Sequence, residues 1–291
     1  MKTNLRTTPL IVLALALAAG ASAAQAALTH RFSFTEPAKD GVTRDLVGTV
    51  EGKLMGSGAT IADGKLVLKN DGVTDRDQFS YLAFSASLLP KGGTSTSLVV
   101  WFSAKDLGGF ARVINFGNSE AGEGKEFIYF SPHTGDGSTR VAITATDASG
   151  KTFLDSEASD DGKPHMVAIV IDGAEKKLHV FVDGKEPNPA IELGDNTLDK
   201  VKSVESWLGK SSFANDAAFS GQIDELRVYD TALAAGDVVA AFKAGPDTLP
   251  TGPAVPAAEA AKPAATVGKP AAAPAASAAP APAPASAQPV K

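Results

Sequence analysis

Near the end of the chain, Gly221-Gln222-Ile223-Asp224-Glu225-Leu226-Arg227-Val228-Tyr229 reads as one strand. Its apolar and polar positions alternate, the period of a strand half-buried on a sheet. Two carboxylates, Asp224 and Glu225, sit inside it rather than at an end. Acidic residues are depleted from strands, so something other than propensity holds them there. Just downstream, Thr231 is placed to cap a short helix over about Leu233–Phe242.

The rest of the chain has the same character. Leu28, His30, Phe32 and Phe34 alternate with Thr29, Arg31 and Ser33. Leu66–Leu68 and Tyr81–Phe84 are short strands, whereas Ser97–Ala104 is apolar on both faces and predicts a central strand. Ala111–Phe116, Glu126–Phe130, Thr139–Thr146, His165–Ile171 and Lys177–Val182 follow. Asp63-Gly64, Asp172-Gly173 and Asp183-Gly184 mark turns, where a left-handed backbone favours glycine. Many strands, Asp-Gly turns and one helix make this an all-β chain, a two-sheet antiparallel sandwich with a short C-terminal helix. No internal repeat is present.

Composition divides the 291 residues into three. Met1–Ala26 has Lys2 and Arg6, then the apolar run Leu10–Ala19, then Ala24-Gln25-Ala26. That order is a secretory signal peptide, and the run is too short to span a bilayer. From Pro246 onward come Ala, Pro and Ser, with 11 of the 18 prolines and no aromatic residue. Such a segment buries too little surface to offset its ordering entropy, which predicts a disordered tail over Pro246–Lys291. Residues 27–245 remain as one domain. The chain has no cysteine, so an exported domain must fold on its hydrophobic core alone. Secretion or a bacterial periplasm is the expected location. With 27 Lys+Arg against 33 Asp+Glu and no basic cluster, the chain is a poor ligand for nucleic acid or an anionic membrane surface.

The segment Gly221–Tyr229 and the helix after it closely resemble the closing motif of laminin-G-like jelly-roll domains (concanavalin A-like, pentraxin-type), roughly G-x-I-D-E-x-R-[IV]-Y. Leu28–Phe34 resembles the opening strand, with Thr35-Glu36 where an acidic pair is usual. Asp45-Leu46-Val47-Gly48 matches the following Asp-x-x-Gly turn, and Gly64–Leu68 and Ser80-Tyr81-Leu82 match the next two segments. Trp101 stands in the central strand where the family carries a tryptophan. Pro164–Asp172 resembles a W-H-H-V-A-V-x-Y-D motif, and Leu178–Lys185 resembles the Y-V-D-G strand and turn. The resemblance covers nearly all of Leu28–Phe242 and implies the jelly-roll fold. It also implies a calcium ion bracing the first and last strands, with Glu36, Asp45 and Asp224 as ligands. Calcium takes six to eight oxygens, several from carboxylates. The alternative is that Asp224 or Glu225 pairs with Arg227, Arg31 or Arg44.

Catalytic patterns are weak. Glycanases on this scaffold carry E-x-D-x-x-E on one strand. Here Asp224 and Glu225 are adjacent and face opposite ways, and Glu120, Glu123 and Glu126 fall in a glycine-rich stretch read as a loop. The four histidines, His30, His133, His165 and His179, lack zinc spacing. The three in strands read as hydrogen-bonded sheet residues. The acidic stretches Asn70–Asp77 and Asp160-Asp161-Gly162 read as solvated loops. Sugar sites combine exposed aromatic rings with Asp, Asn and backbone groups. Phe213, Asn215 and Asp216 are the expected ligand-binding set, with Gly108-Gly109-Phe110 as a further source; Trp207 and Phe219 are expected in the core. The expected function is a non-catalytic domain that binds a glycan or an envelope protein. The alternatives are a structural or adhesive envelope protein and a divergent glycoside hydrolase or polysaccharide lyase.

Overall fold

A computed structural model describes residues 26–250. The expected leader, Ala26 apart, and the expected tail beyond residue 250 lie outside the described residues. In chain order the strands are β1 (Leu28–Phe32), β2 (Val42–Arg44), β3 (Glu51–Met55), β4 (Ala59–Ala62) and β5 (Lys65–Leu68). Next come β6 (Tyr81–Phe84), β7 (Thr96–Lys105), β8 (Ile114–Glu120), β9 (Glu123–Ser131) and β10 (Thr139–Thr144). The last are β11 (Thr152–Ser156), β12 (Asp161–Asp172), β13 (Lys177–Val182), β14 (Ile191–Glu192), β15 (Glu205–Leu208) and β16 (Gly221–Tyr229), before helix α1 (Ala235–Ala244).

They form two antiparallel sheets of eight strands. The first runs β14-β13-β12-β7-β16-β5-β4, with β1 also paired to β16; the second runs β11-β10-β9-β8-β15-β6-β3-β2. This is the expected jelly-roll sandwich. Strand β7 is central, as its two apolar faces require. Leu98, Val100 and Phe102 enter the core between the sheets, while Val99 and Trp101 face out beneath Val238 and Ala241 of α1. From the second sheet, Ile114, Phe116, Ile128, Phe130, Val141 and Ile143 complete the core. Each such side chain contributes about 1.5–3 kcal/mol on burial.

Strand β16 does not alternate strictly. Between Ile223 and Glu225 its register against β7 slips: Ile223 faces Phe102, and Glu225 already faces Trp101. Asp224 is the extra residue of a β-bulge. In an unbulged strand of this sequence the side chains of Ile223 and Leu226, three apart, would fall on opposite faces; with the bulge, Ile223, Leu226 and Val228 all enter the core. Glu225 and Arg227 then share the outer face, each fully buried. Glu225 receives Arg227 Nε at 2.7 Å and Arg31 Nε at 2.6 Å, the pairing that was the alternative to a metal.

Several local expectations are corrected. Thr231 does not cap α1; the N-cap is Ala234, and the helix starts two residues later than expected. Gly173 has no left-handed backbone: Asp172 caps that turn through the N–H groups of Ala174 and Glu175, and Lys176 takes the positive φ of 55°. Gly173 is glycine because a Cβ would strike the Thr94 carbonyl. Asp160 is no solvated residue; it is buried and accepts the Leu107 N–H at 3.0 Å. Asn70 is buried too, joining Ser80 and the Phe219 carbonyl. Trp207 lies on the outer face, half-buried, because its neighbour Leu208 takes the core position. Phe219 is in the core as expected. Residues 246–250, assigned to the tail, are held on the domain where Arg227 donates to the Thr248 carbonyl and the Asp247 N–H donates to Glu225.

Candidate functional site

The outer face of the second sheet carries the candidate site. Pairing aligns Trp207, Asn115, Tyr129, Ala142 and Phe153 in one row across β15, β8, β9, β10 and β11. Directly opposed residues share a face, so this row points away from the core. Phe127 and Arg140 stand in the neighbouring rows. The loop Ser211–Ala218 lies across them. Ala214 N–H reaches the Gly122 carbonyl at 2.8 Å, and Ala217 N–H the Gly109 carbonyl at 3.3 Å. Arg76 holds the loop from its other side through the Phe213 carbonyl at 2.8 Å. Asn115 fixes Ser212 through both its amide groups.

Between this loop and the turn carrying Ala148 and Lys151 opens a cleft of about 190 Å³. Phe110, Phe127, Tyr129 and Phe213 supply its rings, and Arg112, Arg140, Lys151 and Asp216 its charges. Arg112 lies between two aromatic faces, its guanidinium carbon 3.7 Å from the Tyr129 ring centroid and 4.8 Å from that of Phe213. It donates to Asn115 Oδ1 at 3.1 Å and to Asp216 Oδ2 at 2.9 Å. Its Nε–H, although buried, has no acceptor among the described residues. Burial pushes Arg112 below the ordinary arginine value and Asp216 above the usual carboxylate range, each opposed by the other's charge. Arg140 makes a two-pronged pair with Asp155, both bonds 2.6 Å. That hydrogen-bonded partner, set against burial, holds Arg140 above its ordinary value. Its guanidinium lies 4.3 Å from the Phe153 centroid. Phe110 takes a left-handed backbone, φ 58°, which costs a bulky residue about 1–2 kcal/mol and sets the ring at the rim.

Of the expected binding set, Phe213 and Asp216 line this cleft, with Phe110 opposite. Asn215 is exposed on the loop and does not line it. The cations and Tyr129 were missed. The visible signal was that Phe127 and Tyr129 fall on the same face of the strand, opposite the core residues Ile128 and Phe130.

The three expected calcium ligands go elsewhere. Asp45 accepts His30 Nδ1 at 2.5 Å and the N–H groups of Arg31 at 2.9 Å and Val47 at 3.1 Å. Burial works against its charge, yet these bonds hold the carboxyl below its usual range. Asp224 pairs with Lys65 at 2.6 Å. Glu36 is exposed beside Lys39 and Arg44, at a separate cleft of about 170 Å³. Among the described residues no three His, Asp or Glu side chains are grouped to hold a metal ion. Asp45 and Asp224, already facing a histidine, a lysine and N–H donors, offer few of the free oxygens that calcium takes. Glu120, Glu123 and Glu126 are in paired strands rather than a loop: Ala121 and Gly122, φ 53° and 82°, close a tight hairpin between β8 and β9. Among the described residues no helix is long and apolar enough to cross a membrane.

Residues 74–239 match the family described as the concanavalin A-like lectin/glucanases superfamily. No curated protein matches the chain. Among solved structures, domain 4 of AbnA, a GH43 extracellular arabinanase from Geobacillus stearothermophilus, was solved with arabinotriose. It is 22% identical with a TM-score of 0.53, over 74% of this chain and 97% of that one. The binding domain of Botulinum neurotoxin DC, solved with rat synaptotagmin II, is 12% identical with a TM-score of 0.52, over 75% and 51% of the two chains. At these identities the likeness is one of fold.

Proposed function

We propose that this chain, which belongs to the concanavalin A-like lectin/glucanases superfamily, is a secreted, non-catalytic carbohydrate-binding protein. The cleft under Phe213 is its site. One observation carries this reading: aromatic rings and hydrogen-bonding side chains converge in a concave site, the composition that sugar recognition needs. The similar arabinanase domain, solved with a bound arabino-oligosaccharide, supports it at the level of fold. The cleft's single lining carboxylate, Asp216, is tied to Arg112, whereas glycoside hydrolysis ordinarily takes two carboxylates about 5–9.5 Å apart. That supports binding rather than turnover. The signal-like Met1–Ala26 supports export to the periplasm or beyond.

The test is retention of the purified protein on a panel of immobilised polysaccharides, with reducing-sugar release assayed alongside. Retention without release is expected, and Phe213→Ala and Phe110→Ala should each lower it by about tenfold, the scale of one lost stacking contact. Capture by envelope proteins alone would overturn the reading in favour of an adhesive role, which the protein-bound neurotoxin domain on the same fold represents. Release of sugar ends would overturn the non-catalytic part.

A further inference from the structure

The chain is acidic, with 33 Asp+Glu against 27 Lys+Arg, yet three of the four charged side chains lining the cleft are cations. Asp155 balances Arg140 and Asp216 balances Arg112. Lys151 is in excess: its Nζ donates to the Ala148 carbonyl at 2.8 Å and meets no carboxylate among the described residues. It stands 5.4 Å from the Phe153 ring centroid, beside Arg140, and Phe153 is 40% exposed. Deeper in the cleft, Arg112 is 2% exposed and its Nε–H is the one buried donor of the lining left without an acceptor. A neutral sugar offers a C–H face to the rings and hydroxyls to Asp216 but leaves the excess cation uncompensated. A ligand with an anionic group satisfies both.

We propose that the cleft selects glycans bearing an acidic group, a carboxylate or a sulfate, placed against Lys151 and the Arg112–Arg140 side. This rests on the carbohydrate reading above and narrows it. The rings receive the sugar face. The cations receive the acid, with charge-assisted hydrogen bonds stronger than those to a hydroxyl. Carboxylate and sulfate share this chemistry, and the experiment separates them.

The full chain is titrated calorimetrically with a panel in which each neutral oligosaccharide is matched by a uronate-containing and a sulfated form, and with polyglutamate. The acidic forms are expected to bind at least about tenfold more tightly than their neutral counterparts, and the tighter of the two names the source. Lys151→Gln, at a half-buried position outside any ion pair, should remove most of that difference. Equal affinity for neutral and acidic forms overturns the proposal while leaving carbohydrate binding standing. So does a Lys151→Gln effect that is the same on both. Binding of polyglutamate as tight as that of the acidic glycans overturns it as mere charge attraction. Absence of binding to every glycan, with the protein folded, overturns the carbohydrate reading itself.

Discussion

Glu225 decides what the charged pair in the last strand does. It is fully buried, and burial alone would raise its pKa, but hydrogen bonds from Arg227 and Arg31 hold it below the usual range. The guanidinium of Arg227 lies 4.3 Å from the Trp101 ring centroid, so it too is out of water. Removing one member of such a pair leaves the other uncompensated, which costs about 3–5 kcal/mol. Glu225→Ala should therefore lower the urea-unfolding free energy by that amount, whereas Asp224→Ala, losing only a partly exposed pair with Lys65, should cost about 1 kcal/mol or less. Equal losses would mean that burial of Glu225 is unimportant. Gly48 makes a second test. A Cβ there would stand 2.5 Å from Asp45 Oδ2 and 2.7 Å from His30 Nδ1. Gly48→Ala must displace a carboxylate that anchors the opening strand, and about 2–4 kcal/mol should be lost on chemical denaturation. The Asp-x-x-Gly spacing was legible in the sequence; its reason, a glycine against a carboxylate–histidine pair, needed the fold.

At the scale of elements, strong two-residue periodicity was readable and its interruptions were not. Tyr81–Phe84 and Lys177–Val182 were found at their true limits. The bulge at Asp224 could not be seen, because only the partner strand shows where register slips. Strands β2, β4 and β14 are short and place few side chains in the core, so they leave little pattern. The site divides the same way. Phe213 and Asp216 sit together in one loop and could be picked out, while Arg112, Arg140 and Lys151 come from three separate segments. A lone cation in each reads as a solvated side chain until the fold brings the three to one cleft with Tyr129. Strand β12 offers a prediction of its own. His165 Nδ1 lies 2.8 Å from Asp183 and Nε2 3.0 Å from Asp161, an arrangement in which both nitrogens must donate. Burial resists the charge, but the two carboxylates win and raise the histidine's pKa in the folded state. The folded protein thus binds the proton more tightly than the unfolded chain. Its contribution is complete below the unfolded value, about 6.5, and is lost as pH rises through the raised folded value. Urea midpoints taken from pH 5.5 to 8.5 should show a decline in the wild type that His165→Asn flattens. An identical slope in that variant would remove His165 from the account.

For the whole molecule, closure depends on bringing distant segments together. Strand β1 pairs with β16 across about two hundred residues, Phe32 against Leu226 and His30 against Val228. Arg31 crosses that seam to Glu225. The chain then leaves α1 and returns over the same pair: Arg227 Nη2 donates to the Gly245 carbonyl at 3.2 Å and to that of Thr248 at 3.0 Å. The Asp247 N–H donates back to Glu225. The start of the proline-rich segment is therefore part of the domain, although its composition reads as tail, because the bonds are made by backbone groups that any sequence supplies. Chains ending after Ala244 and after Pro250 separate the two roles. The longer should melt with the full chain. The shorter loses three hydrogen bonds to buried charges, each worth about 1.5–3 kcal/mol, less the ordering entropy that the strap costs in the folded chain. A net loss of about 2 kcal/mol corresponds to a melting temperature lower by about 4–8 °C in a domain of this size. If both truncations melt with the full chain, the strap contributes nothing to closure, and the β1–β16 seam alone holds the two ends of the domain together.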